Sequence, residues 1–508
     1  MRALAGPLAA AGERTRTLPA WWPLAALTLL AAALRLSTLH LQSFWYDEAF
    51  TPVHVLRPSL AATMRAVSRT ENSPPLWYLL EWVDYRILGS GEIALRLPSA
   101  LAGIATVPVA WEIARLAAGR RAAIAAAALV AVNPLFVWYS QEARDYGLFV
   151  LTGSLAVLCF MRLRERPDAG RVGLFALVGV LTLATHYFAV FLLVAMVLWL
   201  LAERATRRLC LPAPVAIGAA GLALLPLISA QGGHGTQWIG RWPLSERLQA
   251  IPQYYLTGSS GAPLGHGVEL LLALPVLAAA GLGLWHMFEL PSSRPAWGSE
   301  APARVSAGAL AAIAAAGVLV PLAMAVLGAD YLAPRNLVAA MIPVTVLVAV
   351  LGSWPRTGAA GTVALILAAV GSLAITIDVD LSPRLQRGNW RDLARVLAAA
   401  RGPSAISTVE LGAAPLEYYM PGLRYLQPGS VVRVREILET GYRPLRASAG
   451  EPPAPGFHLL ERRETDGLFV YRFAAASARP VSESELRRHV ITPAHPEVLV
   501  PAGVSAAR

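Results

Sequence analysis

Residues 21–50 read WWPLAALTLLAAALRLSTLHLQSFWYDEAF. An apolar run reaches Arg35, and a few residues later three aromatics, Phe44-Trp45-Tyr46, precede two adjacent acids, Asp47 and Glu48. A helix needs about 20 mostly apolar residues to cross roughly 30 Å of hydrocarbon. Aromatic rings gather at the membrane–water boundary, so the acid pair is expected just past the end of a first span. The run is too long for a cleavable signal peptide and enters Arg35 without a small-residue cleavage site, so it reads as a retained anchor.

Similar runs recur outward from this one, near 93–115, 121–139, 146–163, 171–185, 187–202, 211–230, 267–288, 306–328, 337–353 and 358–378. With the run at 21–41 they make about eleven transmembrane helices, an all-α polytopic membrane bundle. Thr185-His186-Tyr187 is the only break between the fifth and sixth. Composition agrees: 56% of the 508 residues are hydrophobic and 15% charged, against about 25% charged in a soluble domain. A purely soluble enzyme and a disordered chain are both excluded. Two cysteines, Cys159 and Cys210, are too few for a disulfide framework or a thiolate zinc site. All 43 basic side chains are arginine, which removes a Walker-type phosphate lysine, a Schiff base and a Ser–Lys dyad.

The arginines assign the sides. With residues 1–20 as a cytoplasmic tail, the inner segments hold about twice as many arginines as the outer loops before residue 378, among them Arg115, Arg120, Arg121, Arg162, Arg164 and Arg166. This positive-inside bias fits an odd number of spans. The net charge of +11 is therefore topological, and no nucleic-acid partner is expected. The transmembrane domain covers 21–378, with long outer loops at 42–92 and 231–266. The first loop should carry two surface-lying helices, one through Leu56, Leu60, Met64 and Val67, the other starting at Pro74-Pro75; the second should place Leu244, Leu248, Ile251 and Tyr255 on one face. Residues 379–478 read as a small extracytoplasmic α/β domain, with a helix over 389–400 and strands at 405–409, 457–461 and 468–473. Residues 479–508, rich in Pro and Ala, read as a disordered tail.

Charged groups at membrane depth or in tight outer turns are rare and functional by default. Asp47-Glu48 alone reads most plainly as a solvated turn. The outer turn Gln141-Glu142-Ala143-Arg144-Asp145-Tyr146 adds a second acidic cluster, whose plain reading is internal pairing. His186-Tyr187 occupies the shortest outer turn, and Arg335-Asn336 enters the tenth span from outside, where a lipid phosphate would lie. All four stretches fall on one face of the membrane. Carboxylates, a histidine and an arginine at one interface suit transfer of a group carried on an anionic lipid, a carboxylate taking a hydroxyl proton and an arginine or a metal stabilising the departing phosphate.

The pattern resembles the GT-C membrane glycosyltransferases, nearest the bacterial protein-O-mannosyltransferase-like and aminoarabinose-transferase-like enzymes. The likeness covers roughly 20–380. It rests on Trp45-Tyr46-Asp47-Glu48, Glu71-Asn72-Ser73-Pro74-Pro75-Leu76-Trp77-Tyr78, Arg96-Leu97-Pro98-Ser99 and Ser140-Gln141-Glu142-Ala143-Arg144-Asp145-Tyr146, with His186-Tyr187 and Ala333-Pro334-Arg335-Asn336 in support. It implies an inverting transfer from a polyprenyl-phosphate sugar to a protein, glycan or glycolipid hydroxyl at the outer face of a bacterial cytoplasmic membrane. Asp47, Glu48 and Asp145 would be catalytic, Asp47 as general base. Glu142, Arg144, Tyr146, His186, Tyr187, Arg335 and Asn336 would bind substrate, Arg335 facing the lipid phosphate. Relatives often have His before the Pro-Pro pair where this chain has Ser73, so a divalent cation held by Asp47 and Asp145 is left open. Two other classes fit a polytopic chain. A transporter or lipid-linked-sugar flippase would carry charge near the bilayer midplane, and an O-antigen ligase or polymerase would place its essential groups in a late outer loop.

Overall fold

The structure is a computed structural model and describes residues 21–258, 264–289, 297–504 and 506–507. The expected N-terminal tail, 1–20, lies outside the described residues.

The chain opens with α1 (Trp22–Leu36), then α2 (Tyr46–Phe50), which runs on as a π-helical turn over Thr51–Val55, α3 (Leu60–Thr70) and α4 (Leu76–Leu88). Ser59 caps α3 by accepting from Ala62 N–H, and α4 starts directly after the proline pair. The first long loop, 42–92, therefore holds the two expected helices and a third, α2, which carries Asp47 and Glu48 where a turn was expected. Leu56 lies before α3 rather than on it and packs with Phe44, Ala49 and Leu95.

Next comes α5 (Glu92–Val132). Straight, its 41 residues would span about 60 Å. Yet Arg96 near its start donates to the carbonyls of Leu39 and Gln42, and the carbonyls of Val130 and Ala131 near its end accept from Arg35. Both ends therefore meet one short stretch, and α5 is two arms folded back at Ala118-Gly119, where Gly119 has φ +81°. That conformation is strained for a side-chain-bearing residue and costs glycine little. The first arm also passes very close to the next helix, α6 (Pro134–Ser140): a Cβ on Gly103 would lie 2.4 Å from the Ser140 Cβ. Between helices in lipid, such small-residue approaches supply the packing that a hydrophobic driving force supplies in water.

The bundle continues with α7 (Tyr146–Glu165), α8 (Ala169–Thr185), α9 (Ala189–Ala202), α10 (Pro212–Gln231), α11 (Gln237–Arg241), α12 (Leu244–Thr257), α13 (His266–Phe288), α14 (Trp297–Val326), a 3₁₀ stretch over Pro334–Ala340, α15 (Met341–Gly352) and α16 (Gly358–Leu381). Seven apolar helices among the described residues are long enough to cross a membrane, while α1, α8 and α9 are apolar but shorter. The expected count of eleven is therefore not met by full-length helices, because α5 folds two runs into one element and α8 and α9 stop on either side of the His186 turn. Of the most apolar window in each, 78% of α7 is buried and 6% of α10, so α7 is an inner helix and α10 faces outward. In α12, Tyr255 is buried and Ile251 and Leu244 pack on the core, but Leu248 is exposed.

After α16 the chain forms an α/β unit: α17 (Trp390–Ala398), β1 (Ser404–Val409), α18 (Ala413–Tyr419), β2 (Leu423–Tyr425), β3 (Val431–Gly441), β4 (His458–Thr465), β5 (Leu468–Ser482), α19 (Glu483–Arg488), β6 (Pro496–Pro501) and β7 (Ala506–Ala507). The sheet order is β2-β6-β1-β3-β5-β4, with β7 pairing β3, and only β1 and β3 run parallel. The expected disordered tail is thus wrong. Residues 479–482 finish β5, Ser482 and Glu485 form a reciprocal cap on α19, and β6 inserts between β1 and β2 with Val498, Leu499 and Val500 buried. Proline brackets β6 on both sides; of the four residues between, Val498, Leu499 and Val500 are apolar and buried in the sheet, while Glu497 is half-buried.

This unit is seated on the first long loop, 42–92. Trp390 N–H donates to Ser43 Oγ at 2.9 Å, Ser43 Oγ donates to the Gly388 carbonyl at 3.2 Å, and Phe44 N–H donates to the Tyr419 hydroxyl at 2.7 Å. Arg391 pairs with Glu92 at the start of α5.

Candidate active site

About 100° of helix rotation separates the fates of the two adjacent acids. Asp47 faces a cavity of about 440 Å³ and accepts from Arg335 Nη1 at 2.7 Å; the two side chains are 20% and 23% exposed. Arg335 is carried into place by the 3₁₀ stretch and lies 4.9 Å from the Trp238 ring and 6.0 Å from that of Tyr146. Burial alone would raise the Asp47 carboxyl, but the guanidinium groups of Arg335 and Arg144 outweigh it and hold it below the usual carboxylate range. Asp47 is therefore ionised at neutral pH.

Glu48 points the other way. It is fully buried and accepts two hydrogen bonds from Arg96, each 2.7 Å, and one from Ala143 N–H at 2.9 Å, with Arg387 at 3.4 Å. The expectation that Glu48 takes part in the chemistry is not met by this placement, because it does not reach the cavity and its lone pairs are already used.

In the second cluster, Arg144 lines the cavity and is fixed by Glu71 at 3.1 Å, the Asp47 carbonyl at 3.3 Å and Thr51 Oγ1 at 3.4 Å; Tyr78 donates to the same Glu71 oxygen at 2.6 Å. Glu142 is buried off the cavity on Arg387 Nη2 at 2.7 Å. Burial pushes Glu142 up, Arg387 pulls it back and the charges of Glu48 and Asp47 push again, leaving it at about 7. Asp145 is buried beside these groups with its Oδ2 unpartnered and does not line the cavity. The internal Glu142–Arg144 pairing, the plain reading of this turn, is replaced by partners far along the chain.

Tyr146, His186, Tyr187 and Asn336 do line the cavity. His186 stacks on Phe149 at 4.5 Å and accepts from Phe188 N–H through Nδ1; burial first, then Arg335, hold it below its ordinary value against the pull of Asp145. Tyr187 donates to Gln231, and Gln231 in turn donates to the carbonyls of Val67 and Ser73, tying α10 to the first loop. Apolar wall comes from Val190 and Phe191 on α9, Ile228 on α10 and Pro321 and Met324 on α14, while Thr70, Asn72, Ser73, Thr236 and Tyr331 add polar lining from the loops.

Three further side chains hold this site, and the sequence reading gave none of them a role. Trp238 covers Arg335, Glu71 holds Arg144, and Arg387 joins the C-terminal unit to Glu142 and Glu48 while lying 4.4 Å from the Trp138 ring. An arginine between Gln386 and Gly388, just past the last span, was the one available signal for the third. Among the described residues no three His, Cys, Asp or Glu side chains converge as metal ligands, and Asp47 has a guanidinium rather than a second acid as its partner.

Residues 72–230 match the dolichyl-phosphate-mannose-protein mannosyltransferase family. No curated protein matches the chain. In fold, the chain is similar to ArnT from Cupriavidus metallidurans bound to undecaprenyl phosphate, with TM-score 0.53 and 13% identity over 89% of this chain and 98% of that one. The apo state of the same protein gives 0.51 and 13% over 88% and 97%. An oligosaccharyltransferase from Archaeoglobus fulgidus in the apo form gives 0.44 and 13% over 75% and 58%. A likeness that spans most of both chains, with a family match inside the bundle, gives this protein the GT-C fold of the membrane glycosyltransferases.

Proposed function

We propose that this protein is an integral-membrane glycosyltransferase that moves a sugar from a polyprenyl-phosphate carrier to an acceptor hydroxyl, with inversion, at the outer face of a bacterial cytoplasmic membrane. The observation that carries the reading is the Asp47–Arg335 pair, half-open in a cavity walled partly by apolar side chains of the bundle helices α9, α10 and α14 and partly by polar loop residues. The ArnT neighbour holds undecaprenyl phosphate, a carrier of the class proposed here. The arginine distribution supports the outer location, and an odd number of crossings results if both arms of α5 and the three shorter helices each cross.

The acceptor oxygen attacks the anomeric carbon from the side opposite the phosphate. A C–O bond forms there, and the bond between that carbon and the phosphate oxygen breaks, its electron pair leaving on the polyprenyl phosphate. The hydroxyl proton passes to the Asp47 carboxylate, which is ionised and ready to accept it. Arg335, aided by Arg144, stabilises the charge on the departing phosphate. Arrival of the lipid phosphate at Arg335 draws that guanidinium from Asp47, so donor binding frees the base. The residues around the pair fit an anion; a divalent cation would have to be held by Asp47 and by Asp145, which lies off the cavity.

Deleting the gene should remove one modification from the envelope glycans read by mass spectrometry, and the wild-type gene should restore it. Asp47→Asn should fold in detergent and cut transfer by about 10²–10⁴-fold, the usual contribution of general-base catalysis. Full restoration by Asp47→Asn would remove the base assignment.

A further inference from the structure

The C-terminal unit contributes a side chain of its own to the cavity. Leu411, in the turn between β1 and α18, lines it together with Tyr46 and Asp47, more than 360 residues away in sequence. It is a large apolar residue left 46% exposed, and its backbone has φ +66°, a left-handed conformation that leucine adopts only under constraint. Apart from Asp466, it is the one non-glycine residue with positive φ among the described residues.

The surrounding structure fixes this turn. The Glu497 carboxylate, on β6, accepts from Ala413 N–H at 2.9 Å and also from the Leu411 backbone. Gly412 leaves no slack: a Cβ there would lie 2.4 Å from Thr408 Oγ1 and 2.9 Å from the Trp390 ring. Trp390 meets the Tyr46 ring edge-on at 5.3 Å, so the turn is held in register with the helix that bears Asp47. Strain maintained by so many contacts, with an apolar side chain directed into a functional cavity, is the signature of a ligand contact rather than of a core residue.

The cavity draws its lining from two parts of the molecule. Its apolar walls on α9, α10 and α14 lie among the spanning helices, where a lipid chain belongs, and Arg335 marks the phosphate. Leu411 comes from the unit outside the bundle. We propose that Leu411 is a specificity-determining residue of the transfer site: it packs against the non-polar flank beside the acceptor's reacting hydroxyl, and so selects acceptors without a charged group there. This rests on the glycosyltransferase reading above.

The test uses the full-length protein in the deletion strain and the purified protein with undecaprenyl phosphate as probe. Leu411→Gly relieves the backbone strain, so its melting temperature should hold or rise. It should nevertheless restore the envelope modification about tenfold less well than the wild type, the scale of a lost apolar contact in a binding pocket. Leu411→Met, which keeps the bulk, should restore it to within about threefold. Undecaprenyl phosphate affinity should be the same in all three proteins. Wild-type yield from Leu411→Gly would overturn the proposal, and so would a loss of undecaprenyl phosphate affinity parallel to the loss of yield, which would move Leu411 to the donor end. If the wild-type gene itself restores no glycan change, the transferase reading fails instead, a result distinct from either.

Discussion

Glu48 and Asp47 are adjacent on α2, about 100° apart around the helix. The first accepts three short hydrogen bonds from Arg96 and Ala143 in full burial, while the second accepts one from Arg335 at the edge of a cavity. The same contrast holds for their surroundings. Behind Glu48, the Arg96–Glu48–Arg387–Glu142 chain joins α5, the first long loop, the turn at 141–145 and the C-terminal unit. Around Asp47, charge meets open volume and apolar wall. A buried, saturated ion pair holds geometry; a half-open one can exchange partners. Two acids that look interchangeable in the sequence thus take different places, one locked in the scaffold and one at the cavity.

The comparison breaks most sharply through stability. Glu48→Ala leaves Arg96 charged and buried without its partner, and removing one member of a buried pair costs about 3–5 kcal/mol. Thermal unfolding in detergent should show a large drop for Glu48→Ala and nearly none for Asp47→Asn. Equal drops would put both acids in the scaffold. Arg387→Leu should come next, at about 2–4 kcal/mol, since it unpairs Glu142 but leaves Arg96 on Glu48. Its melting temperature should fall between those of wild type and Glu48→Ala.

Titration sharpens the contrast further. Glu142 is raised to about 7 in the folded protein, so the native state binds its proton more tightly than the unfolded chain does. Its contribution to stability is complete below the ordinary glutamate range and is lost as pH rises through about 7. Melting temperature should therefore decline between pH 5 and 8, and Glu142→Gln should flatten that decline. An unchanged slope would show that Glu142 is ionised throughout. The smallest effect is expected at Trp238, whose ring lies over Arg335. Trp238→Ala should slow transfer by about three- to thirtyfold, a cation–π contact of roughly 0.5–2 kcal/mol, with no change in melting temperature.

How much of this was legible depends on range along the chain. The bundle was, because each helix announces itself by a local run; even the fold-back of α5 is marked by Gly119 beside Arg120-Arg121. Asp47, Arg144, His186 and Arg335 could be placed at one end of the membrane by topology alone. Their pairing could not, since Arg335 reaches Asp47 across 288 positions and Arg387 reaches Glu142 across 245. The division between Asp47 and Glu48 depends on the rotational phase of a five-residue helix, too short to leave a periodic signal. Strand β6 was missed for a related reason: it owes its order to β1 and β2 on either side, while its own flanking prolines read as a break.

The central claim is that Arg335 is shared between Asp47 and the phosphate of the donor lipid. Undecaprenyl phosphate binding to the purified wild-type, Asp47→Asn and Arg335→Met proteins measures this directly. Tighter binding by Asp47→Asn, freed of a competing carboxylate, together with at least about tenfold weaker binding by Arg335→Met, is the expected result. Equal affinity in all three would contradict it.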